Sequence, residues 1–422
     1  MRTKAELFDI HIQRGQELEG LGRLADALAS YRKALKIDPD GHMAHLCVAD
    51  VLLATGRLDD ALATFETALA LSPANPATHF NRGNVLRMLS RFEEAVIAYG
   101  HAVRLRPDFP IAHHNLACAL LQLGDLPAGF REYEWRKKCP TFDDPRYKMD
   151  RAWSGEDLTG KKLLVYAELF QGDTIQFSRF AAAVERLGAQ VVFAAPPLMH
   201  GLLSTLSATI ELVPEDATPD FDYHVPLLSL PHLLNARIDT VALDVPYLHP
   251  DPTRLAHWRA RIGGEGFKIG VVWQGSTLPY ALPLQRSFPL ASLRGIAAIP
   301  GVRLISLQKV NGLDQLADLP DGMTVEDLGE TFDPGPQMFV DTAAAMASCD
   351  LVITPDTSAA HLAGALGVRT WLALPHLADW RWLTDQTDSP WYPTMRLFRQ
   401  SVRGDWSGVF SDMEDALRND LR

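Results

Sequence analysis

The chain has 422 residues, 47% hydrophobic and 22% charged, an ordinary soluble globular mixture of two or three domains that excludes disordered, collagen-like and mucin-like chains. Forty Lys and Arg stand against 52 Asp and Glu, a net charge of −12, which argues against nucleic acid as a general partner but leaves room for a local basic pocket that takes a phosphate. Four scattered cysteines (Cys47, Cys118, Cys139, Cys349) read as buried thiols of a reducing compartment; with no long apolar stretch, no membrane span is expected and the cytoplasm is the expected location.

The first third repeats itself. Pro39, Pro73 and Pro107 are each 34 residues apart. The same step joins Ala27, Ala61 and Ala95; Ala34, Ala68 and Ala102; Tyr31, Phe65, Tyr99 and Tyr133; Leu18, Leu52, Leu86 and Leu120; and Gly15, Ala49, Gly83 and Ala117. Small residues at fixed places let two antiparallel helices approach, and the proline ends the second. This pattern resembles the tetratricopeptide repeat, with units at about 8–41, 42–75, 76–109 and 110–143. In the fourth, Gly129 and Arg136 replace the two alanines, as suits a capping repeat. Such an array grips a peptide or a partner protein. Asn81 and Asn115 share one column, as in the asparagine ladder of the O-linked N-acetylglucosamine transferases, which this chain resembles; Gln13 and Cys47 leave that ladder incomplete.

After a linker at 144–160, short apolar runs alternate with helical stretches. Strands are expected at 163–167, 190–194 and 210–213, with a helix over 174–187. A charged helix over 252–262 runs into Gly263-Gly264-Glu265-Gly266, a flexible joint, and strands resume at 269–273, 302–307, 351–354, 370–374 and 395–398. Two doubly wound units, 161–262 and 267–422, would leave a cleft at the carboxyl ends of both sets of strands.

The sharpest motif runs from Asp350 to Gly367. A buried strand ends in Pro355-Asp356-Thr357-Ser358, and a helix rich in small residues carries His361. Free N–H groups at such a helix start, with the hydroxyls of Thr357 and Ser358, form an anion site. This segment resembles the Asp-(Ser/Thr)-x-x-x-His motif of heptosyltransferases and related bacterial repeat-containing glycosyltransferases. The resemblance runs in order through Ile269 to Ser276, Arg286-Ser287, Ser306 to Lys309, Asp341-Thr342-Ala343, Leu374-Pro375, Asp379 to Trp382, Ser389 to Pro393 and Phe398-Arg399-Gln400. It implies a C-terminal half that holds a nucleotide-sugar, bound through Gly275, Ser276, Arg286, Gln308, Lys309, Asp356, Thr357, Ser358 and His361. Glycine at 275 would let backbone approach a diphosphate, and lysine would act as a point charge on the leaving group. Trp380, Trp382 and Trp391 read as packing beneath the site.

In the first half, Glu168 to Phe177 follows the first strand and opens a helix. Family members carry a glycine-rich loop ending in Gly-Asp here, and the resemblance implies Asp173 as general base. In this chain only Gly172 of those glycines remains, with Leu169, Phe170 and Gln171 filling the loop, and an N-cap role for Asp173 is equally open. No metal site is evident, and the resemblance implies a metal-independent reaction with the nucleotide-sugar as co-substrate.

The expected fold is thus α plus α/β: a tetratricopeptide-repeat superhelix (1–143), then a two-domain GT-B-like fold whose first half is reduced. The expected function is inverting transfer of a sugar to a protein acceptor held by the repeats, with Asp173 and Lys309 as catalytic residues. Two rivals are a non-catalytic repeat adaptor with a degenerate transferase-like domain, and a heptosyltransferase-like enzyme of lipopolysaccharide assembly.

Overall fold

The computed structural model describes residues 2–241, 244–276 and 286–422. The chain divides into two compact units, Met1–Asp143 and Asp144–Arg422. The first is eight helices in four antiparallel pairs: α1 (Lys4–Gly20) with α2 (Leu24–Ile37), α3 (His42–Ala54) with α4 (Leu58–Leu71), α5 (Pro76–Met88) with α6 (Phe92–Leu105), and α7 (Pro110–Gln122) with α8 (Leu126–Tyr133).

The repeat columns explain the packing. Both alanine columns are fully buried, as are Tyr31, Phe65 and Tyr99. A Cβ placed on Gly15 would stand 2.2 Å from the Tyr31 ring, and one on Gly83 would stand 2.6 Å from that of Tyr99, so glycine here is what lets the aromatic ring of the second helix lie against the first. In the fourth pair, Gly129 gives that room to Leu121 instead, and Arg136 is fully buried beside the Tyr133 ring and bonded to Glu134. A further column, not read from the sequence, links neighbouring repeats: His45, His79 and His113 donate from Nε2 to the carbonyls of Pro39, Pro73 and Pro107 at 2.8, 2.9 and 2.9 Å. Each ties the start of one repeat to the end of the last, where a helix-ending carbonyl would otherwise lack a donor.

The second unit holds two parallel sheets. In the first, β1 (Lys162–Tyr166), β2 (Gln190–Ala195), β3 (Glu211–Pro214) and β4 (Tyr223–Pro226) lie in the order β3-β2-β1-β4. Helix α9 (Gln171–Arg186) joins β1 to β2, and single turns α10 (His200–Leu203) and α11 (Leu230–Leu233) follow β2 and β4. Helix α12 (Pro252–Ile262) leads to the second sheet, of β5 (Phe267–Val271), β6 (Val302–Ser306), β7 (Val325–Asp327), β8 (Leu351–Pro355), β9 (Thr370–Leu374) and β10 (Met395–Arg399), ordered β10-β9-β8-β5-β6-β7. Around it lie α13 (Arg294–Ala297), α14 (Val340–Met346), α15 (Ser358–Ala365) and α16 (Ser407–Asp420). Counted from its own first strand, each sheet runs outward from a switch between strands one and four, the arrangement that opens a crevice at the carboxyl ends. Strands β4 and β7 were not expected, because three or four residues without an apolar run carry no period.

Two boundaries differ from the sequence reading. The stretch 144–160 is not a free linker but an edge of the first sheet: Ala152 bridges His224, Trp153 N–H donates to the His224 carbonyl at 2.8 Å, and Arg146 donates to the Ala167 carbonyl. Its backbone groups supply the bonds that the edge strand β4 would otherwise lack. Helix α12, placed with the first half by sequence, packs on α14 of the second, where the buried indole of Trp258 donates to Asp341 at 2.7 Å. In the glycine joint after it, Gly266 has φ +70 and a Cβ there would stand 2.8 Å from the Gly301 carbonyl, while Gly263 and Gly264 have nothing within 4 Å of theirs.

Candidate functional site

The candidate site lies where the described residues that follow β1, β5 and β8 converge. Helix α9 starts at the carboxyl end of β1 and α15 at that of β8, and the two starts touch. A Cβ on Gly172 would stand 3.1 Å from Cδ2 of His361 and 3.5 Å from Oγ of Ser358. Gly172 is therefore one point of close approach between the two halves, where a larger side chain would press on His361. Leu169 in the same loop holds φ +56, a left-handed conformation costly for a bulky side chain, with Phe170 beside it half-exposed.

Around that contact the expected residues fall into two groups. Gly275, Arg286, Asp356, Thr357, Ser358 and His361 gather at the switch between β5 and β8. Gly275 N–H meets Ser287 Oγ at 3.1 Å, and a Cβ on Gly275 would stand 3.0 Å from the Thr357 methyl. Ser276 is the next residue, at the exposed lip; the stretch 277–285 leading to Arg286 lies outside the described residues. Thr357 caps α15, its hydroxyl accepting from Ala359 N–H at 3.3 Å. Arg286 lies 3.8 Å from the buried carboxylate of Asp356. Burial, with the charge of Asp379, lifts the Asp356 carboxyl to about 6 against the pull of Arg286 and Arg381.

The second group is engaged elsewhere. The Gln308 carboxamide braces the strand ends, its oxygen accepting from Trp273 and Gln274 N–H at 2.9 and 3.0 Å and its nitrogen donating to the Gln274 carbonyl at 2.8 Å. Lys309 donates to the Phe332 carbonyl and lies 5.3 Å from the centre of that ring. One carbonyl occupies one of three ammonium donors, so two remain.

Asp173 is buried and paired across the two halves with Arg381 at 2.6 Å. Its other oxygen accepts from Phe170 N–H at 3.2 Å: Phe170, and not Asp173, holds the N-cap of α9, and Asp173 is the third helical residue bonding back to it. Arg381 is shared further: Nε donates to Gln176 Oε1 at 2.5 Å, another nitrogen meets Asp379 at 2.8 Å, and the guanidinium lies 4.2 Å over the Trp380 ring. Burial pushes the Asp173 carboxyl above its ordinary range, opposed by Arg381. Glu168, also buried, accepts from Tyr147 Oη–H at 2.5 Å and from Leu228 N–H at 2.9 Å, joining the ends of β1 and β4. His361 sits under the site, its Nδ1 3.0 Å from Tyr392 Oη and its ring stacked on Trp382. Burial foremost, then Arg381, Arg179 and Arg286, holds its imidazole well below the usual value, so the ring is neutral.

Arg381, Gln176, Arg179 and Tyr392 were not expected as site residues. Arg381 and Tyr392 stood in quoted motifs among tryptophans, and a charged or hydroxylated side chain between residues read as core is the signal available for them. Gln176 and Arg179 carry none, because an amphipathic helix presents polar residues to solvent far more often than to another domain. In the repeats, Asn81 donates to Asp50 at 2.8 Å and Asn115 to Asn84 at 2.9 Å, so both ladder amides cross-link successive first helices. Among the described residues no helix is long and apolar enough to cross a membrane.

Comparisons with known proteins agree with the first unit. A tetratricopeptide-repeat family profile matches residues 12–76 and a TPR-repeat profile matches 83–124. The chain is 28% identical to Protein FlbA of Caulobacter vibrioides (strain ATCC 19089 / CIP 103742 / CB 15) over 332 residues, covering 72% of this chain and 54% of that protein. The chain thus spans about half the length of this curated relative, while the likeness reaches beyond the repeats into the second unit. Among solved structures, MamA is similar at 20% identity and TM-score 0.30, over 32% of this chain and 73% of that one. YrrB, described as a TPR protein with an unusual peptide-binding site, is similar at 24% identity and TM-score 0.29, over 31% and 68%. The N-terminal region of this chain therefore carries tetratricopeptide repeats, a module that binds peptides or proteins, ahead of a unit with two parallel sheets.

Proposed function

We propose that the second unit is a glycosyltransferase that uses a nucleotide-sugar, and that the repeats bring it a protein acceptor, such as a surface-appendage subunit. The observation that carries this reading is the meeting of two switch points: Gly275, Arg286, Asp356 and the start of α15 on one side face Asp173 and Gly172 on the other. A diphosphate would lie against the backbone at Gly275 and Ser276 and the N–H groups that open α15, with Arg286 and Lys309 meeting its charge. The acceptor oxygen would attack the anomeric carbon as the bond to the diphosphate breaks, and Asp173 would take the acceptor proton. That step requires Arg381 to leave Asp173, and an arriving diphosphate is the anion able to draw it.

A second reading, a repeat adaptor without turnover, is favoured by one observation: both residues expected to be catalytic are engaged, Asp173 with Arg381 and Lys309 with Phe332. Thermal unfolding of the full chain with UDP-, GDP-, ADP- and CMP-sugars separates the two. A ligand that binds only the folded state raises the midpoint as its concentration exceeds its dissociation constant. The transferase reading expects a shift with one donor, reduced by Lys309→Ala; no shift with any donor supports the adaptor.

A further inference from the structure

Bulky apolar residues seldom take a left-handed backbone, because Cβ crowds the following carbonyl, and glycine or asparagine fills such positions at lower cost. Among the described residues four do: Leu169 (φ +56), Val310 (φ +62), Phe339 (φ +68) and Leu383 (φ +54). Each lies in a loop that leaves the carboxyl end of a strand, β1, β6, β7 and β9 in turn. The first three loops expose apolar surface as well: Val310 is 81% accessible, Phe170 48%, Leu313 41%, and Leu169 and Met338 39% each. At Leu169 and Val310 the strain is thus held by side chains left open to solvent, and strain of that kind persists at sites of function.

Two of these loops adjoin the candidate site, and the third ties the halves of the second unit together. Phe170 N–H donates to the Asp173 carboxylate at 3.2 Å. Val310 directly follows Lys309, and the Asn311 side chain donates to the Gly275 carbonyl at 3.5 Å. Met338 N–H donates to the Leu198 carbonyl of the first half at 2.7 Å. The loop tips carry no charge: Leu169 to Gly172, Val310 to Leu313 and Pro334 to Val340. The exposed charges beside them, Asp314, Asp327 and Glu330, are all negative, while Lys309 is turned to the Phe332 carbonyl.

We propose that these loops form an apolar docking lip for a polypeptide segment of the acceptor, one that carries a bulky apolar side chain and a Lys or Arg close to the hydroxyl that receives the sugar. Apolar tips favour apolar side chains, which both shed water on contact. The flanking carboxylates favour a basic segment and oppose an anionic glycolipid or membrane surface. A protein partner also suits the repeats that precede this unit in the chain. That the segment is the acceptor rests on the transferase reading; that it docks rests on the loops.

The test is an array of short peptides, each with one central serine and varied flanks, probed with the full chain and with Leu169→Asn combined with Val310→Asn. The wild type should prefer Leu, Phe, Lys and Arg beside the serine and reject Asp and Glu. Peptides with apolar flanks should bind the double variant about tenfold more weakly, while the preference for Lys and Arg stays. The repeats are untouched by these changes, so a preference owed to them would be the same in both chains. Because asparagine accepts left-handed backbone, the thermal midpoint of the double variant should rise. The proposal is overturned by an apolar preference unchanged in the double variant, by no preference or an acidic one in the wild type, or by a midpoint that does not rise. Wild-type binding to phosphatidylglycerol vesicles that the double variant loses would assign the lip to lipid and overturn it too. The melts with nucleotide-sugars are read separately: no shift with any donor overturns the transferase reading, and the lip then stands or falls on the array alone.

Discussion

Arg381 ties Asp173 and Gln176 of α9 to Asp379 at its own end of the chain, and its loss is not the loss of one bond. Removing it leaves Asp173 buried beside Asp379 without a counter-charge. Arg381→Ala should therefore destabilise the folded chain by about 3–5 kcal/mol, while Arg381→Met combined with Asp173→Asn, which removes both charges, should cost less than Arg381→Ala alone. Urea denaturation of the three proteins checks this. If the double variant is the least stable, the pair is not held by its charge.

A different carboxylate gives a pH signature. Burial foremost, then Glu19, raises Asp50 to about 6 from an ordinary value of 3.8, with its bond from Asn81 acting the other way. The folded state then holds this proton more tightly than the unfolded chain. Its contribution to stability is full below about pH 4 and is lost as the pH rises through about 6. Asp50→Asn should gain on the wild type between pH 4.5 and pH 7 in urea midpoints, and an unchanged difference would exclude the linkage.

At the scale of elements, two glycines of the third repeat should respond in opposite directions. Gly83 lies on α5 where a Cβ would enter the Tyr99 ring, so Gly83→Ala should destabilise by about 1–3 kcal/mol. Gly100 lies inside α6 with only the end of Arg104 within 4 Å, at 3.6 Å, so Gly100→Ala should stabilise by about 0.5–1 kcal/mol through helix propensity. Thermal midpoints moving in the same direction would refute this account of the repeat column. Both glycines were visible as residues, but only Gly83 belonged to a 34-residue column, and the column is what marked it. The histidine column was equally visible at His45, His79 and His113 and went unread, because a polar residue recurring on a helix has no expected partner until the Pro carbonyls are seen beside it. Strands β4 and β7 were missed for the reverse reason: the neighbouring strands define them, not their own sequence.

At the scale of the molecule, the two compact units should unfold as separate events, and Arg179 offers a way to address one of them. This fully buried guanidinium lies between the halves of the second unit and donates to the carbonyls of Val241 and Trp391 at 2.6 and 3.1 Å, with Tyr247, Tyr392 and Trp391 rings around it. Arg179→Met keeps the volume and leaves those carbonyls without donors, at about 1–3 kcal/mol each. Calorimetry should show the transition of 144–422 moved down and that of the repeats unmoved. A single transition shifted as a whole would mean that the chain folds as one cooperative body.

By itself the sequence determined the order of modules: a 34-residue repeat, then two runs of alternating strands and helices. These are periodicities, and a period is local information that survives without knowing what packs on what. The resemblance to heptosyltransferases brought Gly275, Ser276, Arg286, Gln308, Lys309, Asp356, Thr357, Ser358 and His361 forward as one set. Tertiary structure alone decided that Asp173 is paired with Arg381, 208 residues away, that Gln308 is a brace, that 144–160 completes a sheet edge, and that Tyr392 faces His361. Such facts depend on where two sheets meet, and a buried charge or hydroxyl acquires its role only from the partner that the fold sets within reach of it.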